Sequence, residues 1–209
     1  MSAARPPEGT RRVGILMYDE VEALDFAGPY EVFTTATRMQ ARLAPTAAAP
    51  FGVLTVSRRG ARVKARAGMV VQVDHSFADA PAFDVLLVPG GVVDAALACP
   101  ETLAWIARVA PGCEIVASIC TGAFLLAAAG VTGGAPLTTH WEDLADLRAG
   151  WPALTVVDGV RWVEHGRLIS SAGIAAGIDM SLHLVERLIG RALAERTARQ
   201  MEVRWLDTP

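Results

Sequence analysis

Apolar residues fall along this chain in two kinds of run that alternate. The short, continuous ones are "RRVGILMY" (Arg11 to Tyr18), "FGVLTVS" (Phe51 to Ser57), "FDVLLVPGG" (Phe83 to Gly91) and "CEIVASI" (Cys113 to Ile119). Each is bounded by charge, proline or glycine, and such unbroken runs predict parallel strands buried on both faces. The longer runs have helical spacing. "FAGPYEVFTTATRMQ" puts Phe26, Tyr30, Val32, Phe33 and Ala36 on one face. Pro29 is compatible with that helix only in its first turn, which places Asp25 at the helix start. "PETLAWIARVA" is amphipathic through Leu103, Ile106, Ala107 and Val109, and "GAFLLAAAG" continues from Cys120 as an apolar helix. The stretch from Gly177 to Val203 predicts one long C-terminal helix with a stripe of Ile178, Leu182, Val185, Leu188 and Ile189.

Other segments alternate or turn. "ARLAPTAAAP" predicts a loop, "RVKARAGMVVQVDHSF" a hairpin around Gly68, "PLTTHWEDLADLRAGWP" a capped short helix, and "VRWVEHGRLISS" a second hairpin. Strands alternating with helices predict a three-layer α/β/α sandwich, a mostly parallel sheet with helices on both faces. Ligands of such sheets bind outside the carboxyl ends of the strands. Asp25, Gly90, Gly91 and Cys120 are all expected at that edge.

Composition changes this picture little. The chain has 209 residues, is 52% hydrophobic and carries a formal charge of -3, which suits one globular body at 11–209 behind a polar tail at 1–10. Neither the charge nor any basic run offers a footprint for nucleic acid, and no apolar stretch suits a membrane span. Three cysteines, Cys99, Cys113 and Cys120, fit no disulfide framework and point to a reducing, cytoplasmic setting. Histidines and carboxylates at metal spacing are absent from the sequence, so no catalytic metal is expected.

The candidate chemistry centres on "SICTG", where Cys120 stands between a strand and a helix, the slot of a nucleophile elbow. The helix start would lower its thiol pKa and a strained bend would expose its sulfur. Against this, a buried cysteine is commonly a small hydrophobe, the expected role of Cys99 and Cys113. Asp25 is an N-cap by default, and otherwise a carboxyl able to exchange a proton with Cys120. The glycines of "PGG", Gly90 and Gly91, serve either a plain turn or a backbone anion site. His140 in "TTHW" is a pocket wall or a base. "GIAAGID", with Ile174 at its start, brings backbone close to the pocket.

Taken together, "FDVLLVPGG", "SICTGAFLLAAAG", "TTHW" and "GIAAGID" resemble the ThiJ/PfpI superfamily, also called class I glutamine amidotransferase-like, from Arg12 to Val203. "ALDFAGPYEVF" is similar to the isonitrile hydratase branch and to the ligand-binding half of AraC-type regulators with this fold. The resemblance implies a flavodoxin-like homodimer, Cys120 as nucleophile and Asp25 as its acidic partner. Substrate would meet Gly90, Gly91, Thr121, His140 and Ile174, with the N–H groups of Gly91 and Thr121 binding developing charge. Thr121 directly after the cysteine disfavours the peptidase branch, which has histidine there. Asp25 and Thr121 also disfavour the glyoxalase or deglycase branch, which uses glutamate and alanine. The chain ends at Pro209, where regulators continue into helix-turn-helix units, so no DNA-binding domain is expected. The implied activity is cofactor-free hydration of a small isocyanide; the other reading is a ligand- or redox-sensing domain.

Overall fold

A computed structural model of the chain describes residues 9–209. The tail expected at 1–10 falls mostly on residues 1–8, outside the described residues. Seven strands form the central sheet: β1 (Arg11–Met17), β2 (Phe51–Ser57), β5 (His75–Ser76), β6 (Val85–Val88), β7 (Ile115–Ile119), β8 (Trp162–His165) and β9 (Leu168–Ser171). They run in the order β5-β2-β1-β6-β7-β9-β8, parallel except for the terminal β8–β9 hairpin. The hairpin predicted around Gly68 is β3 (Arg62–Lys64) paired with β4 (Val70–Gln72), apart from the main sheet.

Successive residues of the buried strands serve opposite faces, as the two-residue period of a pleated strand requires. Val13, Ile15 and Met17 join one core with Val85, Leu87, Ile115 and Ile119. Leu16, Leu86, Val88 and Val116 join the other. The first core is covered by α1 (Ala23–Leu43), α6 (Ala176–Leu188) and α7 (Arg191–Gln200). The second is covered by α2 (Asp94–Leu97), α3 (Pro100–Val109) and α4 (Gly122–Ala128), with Leu147 of α5 (Leu144–Gly150). Burying each of Ile15, Leu86, Leu87 and Ile115 completely is worth roughly 1.5–3 kcal/mol. The chain therefore folds as the expected three-layer α/β/α sandwich.

Two helix expectations need correction. α1 begins three residues before Phe26, at Ala23, with Glu22 as its N-cap residue, so Asp25 lies inside the first turn and Pro29 beyond it. Pro29 cannot donate to the carbonyl four residues earlier. The helix continues because Phe26, Val32, Phe33, Ala36 and Met39 are anchored in the first core. The long C-terminal helix is two helices, broken at Gly190 with φ 137°. That left-handed turn returns Leu193, Ala194 and Ala198 to the same core and leaves Ile189 on the surface, 39% exposed. Among the described residues no helix is long and apolar enough to cross a membrane.

Candidate active site

β7 ends at Ile119 and α4 starts at Gly122, so Cys120 occupies the bend between them. Its φ is 54°, in the left-handed region that costs a non-glycine residue roughly 1–3 kcal/mol. Neighbouring elements hold it there. The Cys120 N–H donates to Ser171 O of β9 at 3.2 Å, and the Thr139 hydroxyl donates to Cys120 O at 2.9 Å. The strained elbow expected from "SICTG" is present.

Gly90 and Gly91 follow β6 on the neighbouring strand, and their backbone is already engaged. The Gly90 N–H donates to Asp25 Oδ2 at 3.1 Å. The Gly91 N–H donates to Thr121 Oγ1 at 2.9 Å, and the same hydroxyl donates back to Gly91 O at 2.9 Å. The Gly91 N–H expected to bind developing charge is therefore spent on orienting Thr121. A side chain at Gly90 would place its Cβ 2.5 Å from Thr121 Oγ1 and 2.9 Å from Asp25 Oδ2. Only glycine lets the carboxyl and the residue after Cys120 approach from either side.

Asp25 is 0% exposed, and its Oδ1 has no hydrogen-bond partner among the described residues. Burial raises its pKa to about 7; Glu22 adds to the rise, while the Gly90 N–H and the Cys120 thiol oppose it. The Cys120 pKa is pushed up to about 12, first by burial and then by the Asp25 charge, against the N–H groups of Ile174 and Thr121, which favour the thiolate. The lowered thiol pKa expected from the helix start is thus overturned. Burial of the sulfur, and then the carboxyl beside it, outweigh the amides of Ile174 and Thr121 and the start of a helix only seven residues long. The two groups titrate as a pair, which holds one proton between about pH 7 and about pH 12.

Above them opens a cavity of about 250 Å³ lined by Cys120, Thr121, Gly91 and Ile174. His140 forms a wall: its ring occupies the space that a side chain at Gly173 would need, and its Nδ1 accepts the Glu142 N–H at 3.3 Å. The base role considered for His140 has no contact with Cys120 to support it; the nearest carboxylate, Asp143 Oδ2, is 3.3 Å from Nδ1. Ile174 has φ 42° and aims its N–H at the sulfur. The amide facing the sulfur is therefore that of Ile174, not Gly91.

Five lining residues escaped the sequence reading: Glu22, Arg66, Val92, Glu142 and Asp143. Asp143 raises the thiol pKa of Cys120 from the cavity wall, and its spacing three residues after His140 was the available signal. Glu22 and Arg66 pair across the mouth at 3.2 Å. Nothing in the hairpin sequence marks Arg66, because only the folded β3–β4 connection carries it to Glu22. Among the described residues no group of three histidine, cysteine or acidic side chains could hold a metal ion.

Residues 11–187 match the model of the DJ-1/PfpI family. Over 192 residues the chain is 33% identical to an isonitrile hydratase of Pseudomonas putida, covering 91% of this chain and 78% of that protein. It is 28% identical over 191 residues to the HTH-type transcriptional regulator GbdR of Pseudomonas aeruginosa, covering 90% of this chain and 50% of the regulator. Among solved structures, a ThiJ/PfpI family protein from Pseudomonas syringae superposes with a TM-score of 0.80 at 27% identity, covering 93% of this chain and 75% of that one. Drosophila melanogaster DJ-1beta superposes with a TM-score of 0.77 at 22% identity, over 94% of this chain and 100% of that one, a likeness of fold. With an elbow cysteine at its centre and a family match over most of its length, the chain belongs to the DJ-1/PfpI family.

Proposed function

We propose that this protein hydrates small isocyanides to N-substituted formamides without a cofactor. The observation that carries the reading is the fully buried Asp25 carboxyl, with one oxygen unpartnered, beside the strained Cys120 thiol. The likeness to an isonitrile hydratase supports it.

In this reading the Cys120 sulfur attacks the terminal isocyanide carbon while its proton passes to Asp25. Asp25 returns that proton to the same carbon, giving a thioimidate. Water then adds across the C=N bond, its hydroxyl to carbon and its proton, through Asp25, to nitrogen. The hydroxyl loses its proton as the C–S bond breaks, and that proton restores the thiol. The N–H groups of Ile174 and Thr121 stabilise sulfur whenever it carries charge. His140 bounds the substrate and Gly91 keeps Thr121 in place.

Purified protein assayed against a panel of alkyl and aryl isocyanides, with formamide as the measured product, tests this. Turnover that Cys120→Ala abolishes is expected; no turnover on any member would sink it and leave the second reading, a small-molecule sensing domain, which the likeness to a transcriptional regulator favours. We read the assembly as a homodimer, and sedimentation at micromolar concentration would reveal a stable monomer if that is wrong.

A further inference from the structure

A second cavity, of about 330 Å³, opens at the carboxyl ends of β1 and β2 and shares no lining residue with the Cys120 cavity. Its floor is apolar, from Met17, Phe77 and Ala96, and its rim carries Arg58, Arg59 and Arg62. Its volume falls within the range of small-molecule sites, roughly 300–1,000 Å³.

The charge around it is unbalanced. Neither Arg59 nor Arg62 has an ion-pair partner among the described residues, and Arg58 has only a long contact of 3.8 Å to Glu101. The carboxylate in the lining, Asp19, accepts the Lys64 N–H at 2.9 Å and offsets only one of the three positive charges. Three guanidiniums crowded around one concavity repel one another unless an anion enters, and each presents a planar fork suited to an oxyanion. Thr102 and Cys99, at the start of α3, complete the same wall. The Arg58 Nη1 donates to Cys99 Sγ at 3.4 Å, so one guanidinium already faces a polarisable acceptor within the cavity.

We propose that this cavity binds a small ligand with an oxyanion head group, phosphate or carboxylate, on a compact apolar body. Arg59 and Arg62 grip the head group, Arg58 bridges it to the Cys99 thiol, and the floor covers the apolar part. The other cavity is lined by Glu22, Glu142 and Asp143, with one arginine, Arg66, already paired to Glu22, so it offers such a head group no comparable cluster of guanidiniums.

Cys99 reports on occupancy, because it lines the cavity. Its alkylation is followed at the Cys99 peptide by mass spectrometry, using anionic iodoacetate and neutral iodoacetamide. The iodoacetate-to-iodoacetamide rate ratio at Cys99 is expected to exceed that of a free small thiol by about tenfold, the scale of electrostatic steering into a charged cleft. Inorganic phosphate or acetate is expected to slow the reaction saturably, beyond sodium chloride of equal ionic strength, and whichever anion protects identifies the head group. Arg59→Gln with Arg62→Gln, both at exposed positions, should return the ratio to within about twofold of the free thiol and abolish protection. An ordinary ratio in the unaltered protein, protection no greater than that of sodium chloride, or protection that survives the double substitution would each overturn the proposal.

Discussion

Cys120 and Cys99 both precede a helix at the carboxyl edge of one sheet, yet their surroundings push the two thiols in opposite directions. Cys120 is buried, next to the Asp25 carboxyl and within reach of Asp143, and its pKa rises to about 12. Cys99 is partly exposed; the Thr102 hydroxyl, then the Thr102 N–H and Arg58, lower its pKa. Backbone amides favour both thiolates, that of Thr102 at Cys99 and those of Ile174 and Thr121 at Cys120. A helix start therefore does not by itself make a reactive thiol; desolvation and the sign of the nearest charge decide. The difference also separates two kinds of usefulness: an easily ionised thiol reacts unaided with electrophiles, whereas a protonated thiol tied to a carboxyl can deliver both a nucleophile and a proton.

The sharpest way to break this comparison is Asp25→Asn, which keeps the shape and the Gly90 contact but removes the titrating group. Isocyanide hydration should fall by on the order of a hundredfold or more, the usual worth of general acid–base catalysis, with circular dichroism unchanged. If the proposed hydration holds, kcat/KM of the unaltered protein should climb as pH rises through about 7 and the pair loses its second proton. That limb should be missing from the Asn variant. Cys99→Ser should leave turnover intact, and a comparable loss there would collapse the distinction between the two sites.

The same carboxyl should be visible in stability. Its folded pKa, about 7, lies above the value of 3.8 for a free aspartate, so the folded state binds more protons in between. The stability Asp25 contributes is fully present below about pH 4 and is lost as pH rises through 7, amounting to a few kcal/mol at most. Urea unfolding across that window should therefore show a downward contribution that Asp25→Asn removes. Identical pH slopes in both proteins would place the carboxyl in a better solvated setting than the one described.

The smallest expected effect concerns Cys99. Its iodoacetamide reaction should reach half its limiting rate at a pH below that of an ordinary thiol, while Cys113, which burial raises to about 11, stays unreactive at that pH. Thr102→Val removes the hydroxyl contact and should move the Cys99 midpoint upward by about one pH unit or less. An unmoved midpoint would assign the effect to Arg58 and the helix amides instead.

The order of elements was legible in the sequence because unbroken apolar runs and helical stripes are local consequences of burial. The elbow at Cys120 was legible for the same reason, since "IVASI" must end and "GAFLLAAAG" must begin on either side of one bend. So was the meeting of Asp25, Gly90 and Cys120, because the parallel topology brings these strand ends to one edge. Where α1 starts and where the C-terminal helix breaks were not legible. Pro29 is tolerated, and Gly190 used as a turn, only because particular side chains reach the first core. Protonation was decided by tertiary structure too. Burial of Asp25 beneath Gly90, the capture of the Gly91 N–H by Thr121 and the arrival of Arg66 at Glu22 all depend on contacts between residues far apart in the chain. A sequence names the groups that can ionise; the solvent and charge each one meets are fixed when the layers close.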